Sequence, residues 1–262
     1  MVRTYLLLAW TWTRAAAAYR LSFTIMIVFG FLIAAMDLAA ILVIFANTTT
    51  LGGFSREEVL FLYGTAGVAF AMADMLFSNL DRTSQHIKAG TFDAMLIRPV
   101  SAWVQMATDR FMPTRFGRVL QALAALVYAL AALDLPWQRL WMVPLMIACG
   151  MVIFTALWTF GGAVQFLLTD AAEVANAFTY GSGTLSMYPF SVYGRDLVRG
   201  VTYVLPLAFI NWQPGLYVLD RDDPFGLPSF ARFLGPAVAV ALTLLAALAW
   251  RQGIRRYRST GS

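Results

Sequence analysis

The 262-residue sequence has few of the residues that build polar, disulfide-linked or metal-binding proteins. Only 13% of it is Asp, Glu, Lys or Arg, whereas ordinary soluble domains contain about 25%. Its single cysteine, Cys149, excludes an internal disulfide, and its single histidine, His86, excludes a zinc site built on histidines. Phosphate-binding loops, serine nucleophile elbows and metalloprotease motifs are also missing from the sequence. We therefore expect no catalytic residue, no metal site and no cofactor on this chain.

Long apolar segments make up most of what is present. Ala, Val, Ile, Leu, Met, Phe, Trp, Tyr and Cys together account for 60% of the residues. This composition is typical of a polytopic membrane protein and excludes a disordered or nucleic-acid-binding chain. A helix needs about 20 mainly apolar residues to cross a bilayer. The sequence predicts one all-α membrane domain over residues 1–262, and its six spans are residues 21–46, 57–80, 116–134, 141–168, 173–193 and 230–250.

The basic residues predict the orientation of these spans. With six spans and both termini in the cytoplasm, 13 of the 19 Lys and Arg residues lie on the inner side. Cytoplasmic loops of membrane proteins carry such an excess of positive charge. Seven spans would instead place the basic C-terminal tail outside. The net charge of +5 therefore indicates a membrane orientation, and we expect no nucleic-acid partner.

Two weaker apolar segments compete for the fifth span, residues 174–193 and residues 201–219. The second contains two interior prolines, each of which costs about 3 kcal/mol inside a helix. We therefore predict that the span is 173–193, and that 195–220 is a broken segment which enters and leaves on the outer side. The opposite assignment also gives six spans and stays open. The residues expected to form the breaks, to line an exit or to meet outer headgroups are Tyr203, Pro206, Phe209, Trp212 and Pro214.

The first 20 residues predict a helix that lies on the inner membrane surface. Tyr5, Trp12 and Tyr19 are spaced seven apart and fall on one helical face with Leu8 and Ala16. Arginine and threonine side chains occupy the opposite face, a pattern typical of an interfacial helix. Membrane lipids would be its partner. A cleaved secretory signal is the alternative, because the segment also has a basic start and a short apolar run.

Four acidic residues are candidates for polar roles within or beside the spans. Asp37 lies inside the first span and Asp74 lies in the inner half of the second, where a carboxylate is costly and suggests a function. Packing between helices is the alternative for Asp37, and a position among the inner headgroups is the alternative for Asp74. Asp170 and Glu173 have the spacing of a capping box at the start of the fifth span. We expect them to cap that helix and, secondarily, to contact a cytoplasmic partner.

The cytoplasmic loop 81–115 predicts a helix, a break and a second short helix. Gly90 is placed to end the first helix, Thr91 to cap the second, and Pro99 to stop it. The second helix then presents apolar and charged side chains to a partner. Phe92, Met95 and Leu96 are expected to dock, and Asp93 and Arg98 are expected to form ion pairs. An amphipathic segment resting on the membrane is the alternative interpretation.

The loop also carries a family resemblance. Residues 87–100 read IKAGTFDAMLIRPV, which resembles a segment of the bacterial ATP-binding-cassette type 2 permeases. The resemblance is strongest to a subfamily encoded beside a second permease and one ATPase. Tyr188-Pro189 and the later run PLAFIN with Pro214 are similar to the outer segment of that subfamily.

This resemblance implies a permease subunit of an exporter in the bacterial cell membrane. It implies an interfacial helix, six spans, a coupling helix and an outer re-entrant segment. ATP and Mg²⁺ would bind to a partner ATPase dimer, and a second permease, more often a paralogous chain than a second copy, would complete the assembly. The cargo would be amphipathic, drug-like or lipid-like. The residues implied at the ATPase interface are Gly90, Thr91, Phe92, Asp93, Met95, Leu96 and Arg98.

Two other functions are consistent with the residues alone. A membrane scaffold without a transport path would need the same apolar helices. An ion-coupled carrier would use Asp37 at membrane depth.

Overall fold

A computed structural model describes residues 2–109, 115–168 and 172–258, and these ranges contain helices and no β-strand. The α-helices are α1 (Val2–Ala17), α2 (Arg20–Asn47), α3 (Arg56–Phe77), α4 (Thr83–Lys88), α5 (Thr91–Leu96), α6 (Ala102–Thr108), α7 (Phe116–Ala132), α8 (Met142–Gln165), α9 (Ala172–Ser186), α10 (Arg195–Tyr203), α11 (Trp212–Val218) and α12 (Gly235–Arg256). Short 3₁₀ turns connect them at Ser78–Arg82, Trp137–Arg139, Phe190–Val192, Leu207–Phe209 and Ser229–Phe233. The predicted all-α architecture is confirmed.

Four segments of the described chain are long and apolar enough to cross a membrane: Arg20–Asn47, Arg56–Lys88, Trp137–Gln165 and Gly235–Arg256. The chain is therefore a multi-pass membrane protein. The helices at the third and fifth predicted spans, α7 and α9, have 17 and 15 residues. The helix predicted over 173–193 ends at Ser186, because the following segment turns before Pro189, whose ring disfavours a helical residue in front of it. The arrangement of the chain in six membrane spans stays a prediction.

α3 forms the centre of the fold and packs against α7, α8 and α9. It starts with a capping box, in which Ser55 Oγ accepts from the Glu58 backbone and the Ser55 backbone donates to Glu58 Oε2 at 2.8 Å. Gly64 permits the close approach of α7, since a β-carbon there would lie 2.7 Å from the backbone of Leu126. Small residues at helix contacts are the usual means of tight packing in membranes.

α2 lies at the edge of the fold and packs mainly against α7. Of its 28 residues, only Ala34 and Ile41 are buried within this chain. Gly117 of α7 brings the two helices close, because a β-carbon at that position would overlap the backbone oxygen of Ile27. Most of the apolar surface of α2 is consequently left for lipid or for another chain.

α1 is a separate helix that meets α2 at a turn before Arg20, but its predicted face is partly wrong. Tyr5 faces this chain rather than the lipid: its hydroxyl donates to the Leu76 backbone oxygen at 2.7 Å, and its ring packs on Phe77. The reason is that the last carbonyls of a helix lack partners within the helix, and Leu76 lies in the last turn of α3. Trp12 and Tyr19 of the predicted face are exposed, and so are Leu6, Leu7 and Trp10.

Candidate functional site

The helix-break-helix predicted in the cytoplasmic loop is present as α4 and α5. Gly90 joins them with φ of +66°, a left-handed conformation that favours glycine. The predicted capping role of Thr91 is wrong, because Gly90 occupies the N-cap position and Thr91 is the first helical residue. The Thr91 hydroxyl lies instead 2.8 Å from His86 Nδ1, and His86 Nε2 lies 3.1 Å from Asp109 Oδ2. These contacts tie α5 to α4 and to the end of α6.

Phe92 and Met95 point into this chain, contrary to the prediction that they form an exposed plug. The Phe92 side chain is fully buried, with ring centroids 5.0 Å from Phe166 and 5.1 Å from Tyr257. Phe166 in turn lies 5.2 Å from Trp250. These aromatic residues, hereafter the inner aromatic cluster because we predict that they lie on the cytoplasmic side, attach α5 to the C-terminal ends of α8 and α12. Burial against the chain's own helices removes apolar surface from water before any partner binds.

Gln105 of α6 supports α5 from the other side. Its side-chain nitrogen donates to the backbone oxygens of Met95 and Val100 at 2.8 and 2.9 Å, and Arg98 lies 3.5 Å from its oxygen. The last carbonyls of a helix need such donors. Sequence reasoning missed Gln105; the available signal was an amide side chain within the otherwise apolar run AWVQMA.

The side chains that face outward from this segment form what we call the coupling surface, which consists of Thr91, Leu96, Ile97, Arg98 and Pro99. Ile97 is 86% exposed and Leu96 is 42% exposed. Asp93 is half-buried beside them. Thr91, Leu96 and Arg98 were predicted for the partner interface, whereas Ile97 and Pro99 were not. An exposed isoleucine next to an arginine on a rigid turn suits docking to another protein.

A buried ion pair lies near this segment, at the C-terminal end of α3. Asp74 is 1% exposed, and Arg115 lies 3.0 Å from its Oδ1 and also donates to its backbone oxygen and to the Ser78 hydroxyl. The Tyr180 hydroxyl donates to Oδ1 at 3.2 Å, and Arg118 lies 3.6 Å from Oδ2. Asp74 therefore connects α3, α7 and α9. Its two arginine partners were not predicted, and whether it also has a function stays a prediction.

The other candidate carboxylates are in different surroundings. Asp37 is exposed on α2 and faces a cavity between α2, α3, α7 and α9. Glu173 is exposed in the first turn of α9, where a carboxylate favours the positive end of the helix. Asp170 lies outside the described residues, so the predicted capping box stays a prediction.

The outer segment is attached firmly to the start of α3. The side chain of Asn211, buried between α10 and α11, donates to the backbone oxygens of Leu62 and Ser186 at 2.9 and 3.0 Å and accepts from Thr65 at 2.6 Å. Arg221 forms two hydrogen bonds with Glu58, at 2.8 and 2.9 Å. The hydrogen bond to Glu58 raises the pKa of Arg221, and a hydrogen bond from Arg139 lowers the pKa of Asp220.

Two aromatic predictions for the outer segment are wrong. Phe209 and Trp212 are both buried: Phe209 lies beside the starts of α8 and α12, and Trp212 stacks on Phe190 with ring centroids 5.7 Å apart. Tyr203 is 71% exposed. Pro206 lies at the break between α10 and α11 as predicted, whereas Pro214 lies in the first turn of α11, where its missing N–H is not needed.

Comparison with known proteins gives one match. A family model described as "ABC-2 family transporter protein" matches residues 31–261, which include every helix from α3 to α12. No curated protein and no solved structure matches the chain.

Proposed function

The chain belongs to the ABC-2 family of transporter proteins and is a membrane permease of an ABC transporter, and we propose that it is the transmembrane subunit of an ATP-driven exporter. In this proposal a separate ATPase dimer binds ATP and Mg²⁺, and the permease moves an amphipathic, drug-like or lipid-like compound outward. Both termini would lie in the cytoplasm of a bacterial cell.

The observation that carries the proposal is the attachment of α5 to two long helices. Phe92 holds α5 against Phe166 of α8 and, through the inner aromatic cluster, against α12. Ile97 and Arg98 remain exposed on the opposite side of the same short element. A force applied to the coupling surface by a partner would therefore be passed to α8 and α12 without loss in a flexible loop.

A second permease subunit fits the exposure of α2. This helix is apolar except for its ends and Asp37, yet most of its side chains are not covered by this chain. A path for cargo between two permeases would use such an uncovered helix as one wall. We propose a paralogous chain as the partner, with a second copy of this chain as the alternative.

The first experiment is affinity purification of the tagged chain from its native cells, with mass spectrometry of what is retained. We expect a nucleotide-binding ATPase and a second permease. Retention of neither by the wild-type chain would contradict the proposal and favour a scaffold without a transport path.

Ile97→Asp tests the coupling surface directly. A carboxylate in an apolar contact should reduce ATPase association at least ten-fold, because a few buried apolar residues usually dominate such interfaces. Val204→Asp is the matched control, since Val204 is 77% exposed at the end of the outer helix α10. Equal retention of the ATPase by the two variants would remove the coupling surface from the proposal.

Phe92→Ala should have a different effect from Ile97→Asp. Because Phe92 faces this chain, its loss should loosen α5 from α8 while leaving the coupling surface in place. We expect the ATPase to stay bound and the amount of cargo exported per ATP hydrolysed to fall several-fold. An unchanged ratio, measured in proteoliposomes, would show that the inner aromatic cluster does not transmit the motion.

A further inference from the structure

We propose that the cavity between α2, α3, α7 and α9, called here the polar cavity, binds the zwitterionic headgroup of an amphiphile. The cationic group of the ligand would lie beside Asp37, and its anionic oxygen would lie between Arg118 and Gln121. This inference rests on the proposed function and names the chemical class of its cargo.

The polar cavity has the size and position of a headgroup site. Its volume is about 160 Å³, which admits a polar headgroup but not the acyl chains attached to it. It opens beside the uncovered helix α2, so the tail of an amphiphile has apolar surroundings to occupy. Most other intramembrane surface of this chain is apolar, and this cavity therefore stands out by its lining of charged and amide side chains.

Asp37 supplies a negative charge that this chain leaves unbalanced. It lies near the middle of the 28-residue apolar helix α2 and forms neither a hydrogen bond nor an ion pair with any residue in the described ranges. An ionised carboxylate at membrane depth is costly unless a cation accompanies it. A cationic group in the cavity would meet that need.

Arg118 supplies the opposite charge on another wall of the cavity. It does not pair with Asp37, and its contact with Asp74 Oδ2 is long, at 3.6 Å, because Arg115 already holds that carboxylate at 3.0 Å. Asp74, Arg115 and Arg118 together carry one positive charge. A single charge of each sign therefore faces the cavity from separate walls, which is the complement of a zwitterion.

Gln121 adds a hydrogen-bond donor that has no acceptor. Its oxygen accepts from the Tyr63 hydroxyl at 3.3 Å, and this contact fixes which end of the amide faces away from Tyr63. Its side-chain nitrogen is buried and makes no hydrogen bond with any described residue. A buried donor without an acceptor is unfavourable in the empty cavity. An anionic oxygen placed between this nitrogen and Arg118 would satisfy both.

Three single-chain amphiphiles test the inference because they share a tail and differ in head charge. Dodecylphosphocholine is zwitterionic, dodecyltrimethylammonium is cationic and dodecyl sulfate is anionic. The transporter is placed in nanodiscs of phosphatidylglycerol, a lipid without a zwitterionic headgroup. Binding of radiolabelled dodecylphosphocholine is then measured below its critical micelle concentration. Empty nanodiscs give the background. We expect saturable binding for which the unlabelled zwitterion competes at least ten-fold better than either ion.

Two variants should reverse the charge preference rather than merely weaken binding. Asp37→Asn should lower affinity for the zwitterion at least ten-fold and make dodecyl sulfate the better of the two ionic competitors. Arg118→Gln should lower it similarly and make dodecyltrimethylammonium the better one. Asp37→Glu keeps the carboxylate and should therefore keep the wild-type order of the three competitors. Asp134→Asn is the second control: it removes an exposed carboxylate from the connection between α7 and α8 and should leave all affinities unchanged.

A folding defect cannot produce opposite preferences in the two variants, so the result is informative even if one of them is less stable. Equal competition by all three amphiphiles in the wild-type protein, or the same order of competitors in both variants, would overturn the inference. Failure of the proposed function would look different: the chain would bind the zwitterion with the expected preference, but no ATPase would co-purify with it.

Discussion

At the scale of single residues, Asp74 connects three helices of the described chain. Its carboxylate and backbone oxygen receive bonds from α7 and α9 while the residue itself belongs to α3. A buried charge is tolerated only when it is paired, and removing one partner leaves the other desolvated. The position of Arg115 at the start of α7 is therefore determined by Asp74 as much as by the membrane surface.

We predict that Asp74→Asn destabilises the protein by about 3 kcal/mol, because Arg115 then lies partly buried without its counter-ion. The measurement is the free energy of unfolding of the purified chain in mixed micelles with increasing dodecyl sulfate. Glu57→Gln is the control, since its pair with Arg56 is largely exposed and such pairs contribute little. Equal stability of the two variants would show that the Asp74 pair does not hold the helices together.

The sequence predicted that Asp74 is a polar residue inside a span, but it did not predict its partners. Arg115 lies 41 positions later, and no local pattern links the two residues. Asp37 was predicted in the same way and has no partner in the described chain. Two aspartates that look alike in sequence thus have opposite surroundings, which depend on where α7 packs.

At the scale of elements, the direction in which α5 faces decides how it works. The pattern of Phe92 and Met95 correctly predicted one apolar face on a short helix. The periodicity of apolar residues predicts that a helix has such a face, but it does not predict what covers the face. The chain itself or a partner can bury it equally well. The deciding feature is Phe166, which follows the end of α8 and lies 74 positions after Phe92, so the local sequence around Phe92 does not reveal it.

The turn between α4 and α5 gives a prediction about Gly90. Its left-handed backbone would cost a residue with a β-carbon roughly 1–2 kcal/mol, so Gly90→Ala should destabilise the coupling segment by that amount. Gly181→Ala is the matched control, because nothing lies near its β-carbon position and its backbone is helical. Faster amide hydrogen exchange confined to α4 and α5 in the Gly90 variant is the expected readout. Identical exchange in both variants would contradict the strained-turn argument.

At the scale of the whole molecule, the lengths of the apolar segments predicted the four long helices well and the shorter helices α7 and α9 less well. Four long helices match the predicted spans to within a few residues at most ends. The misplaced part was the outer end of the fifth span and the aromatic residues that follow it. Trp212 and Phe209 are buried within the protein. Buried positions and lipid-facing positions are both occupied by apolar residues. Composition alone does not separate the two.

Topology is testable because the only native cysteine, Cys149, is buried. We expect cysteines at Arg199 and Asp222, which lie on exposed parts of the outer segment and the connection after it, to react with a membrane-impermeant maleimide in intact cells. A cysteine at Ile97 should react only after permeabilisation. Reaction at just one of the two outer positions would show that the chain crosses the membrane between them, and that residues 201–219 form the fifth span.

The bonds from Asn211 and Arg221 to the start of α3 also set an order of events during biogenesis. Glu58 and Arg221 are 163 positions apart, and Asn211 and Leu62 are 149 apart. When α3 first leaves the ribosome, most of the chain that will satisfy its outer end has not yet been made. Contacts between distant parts of a chain form late, after their loops have closed. The hydrogen bonds that bury Glu58 and Asn211 at this end of α3 can therefore form only after the last third of the protein has been synthesised.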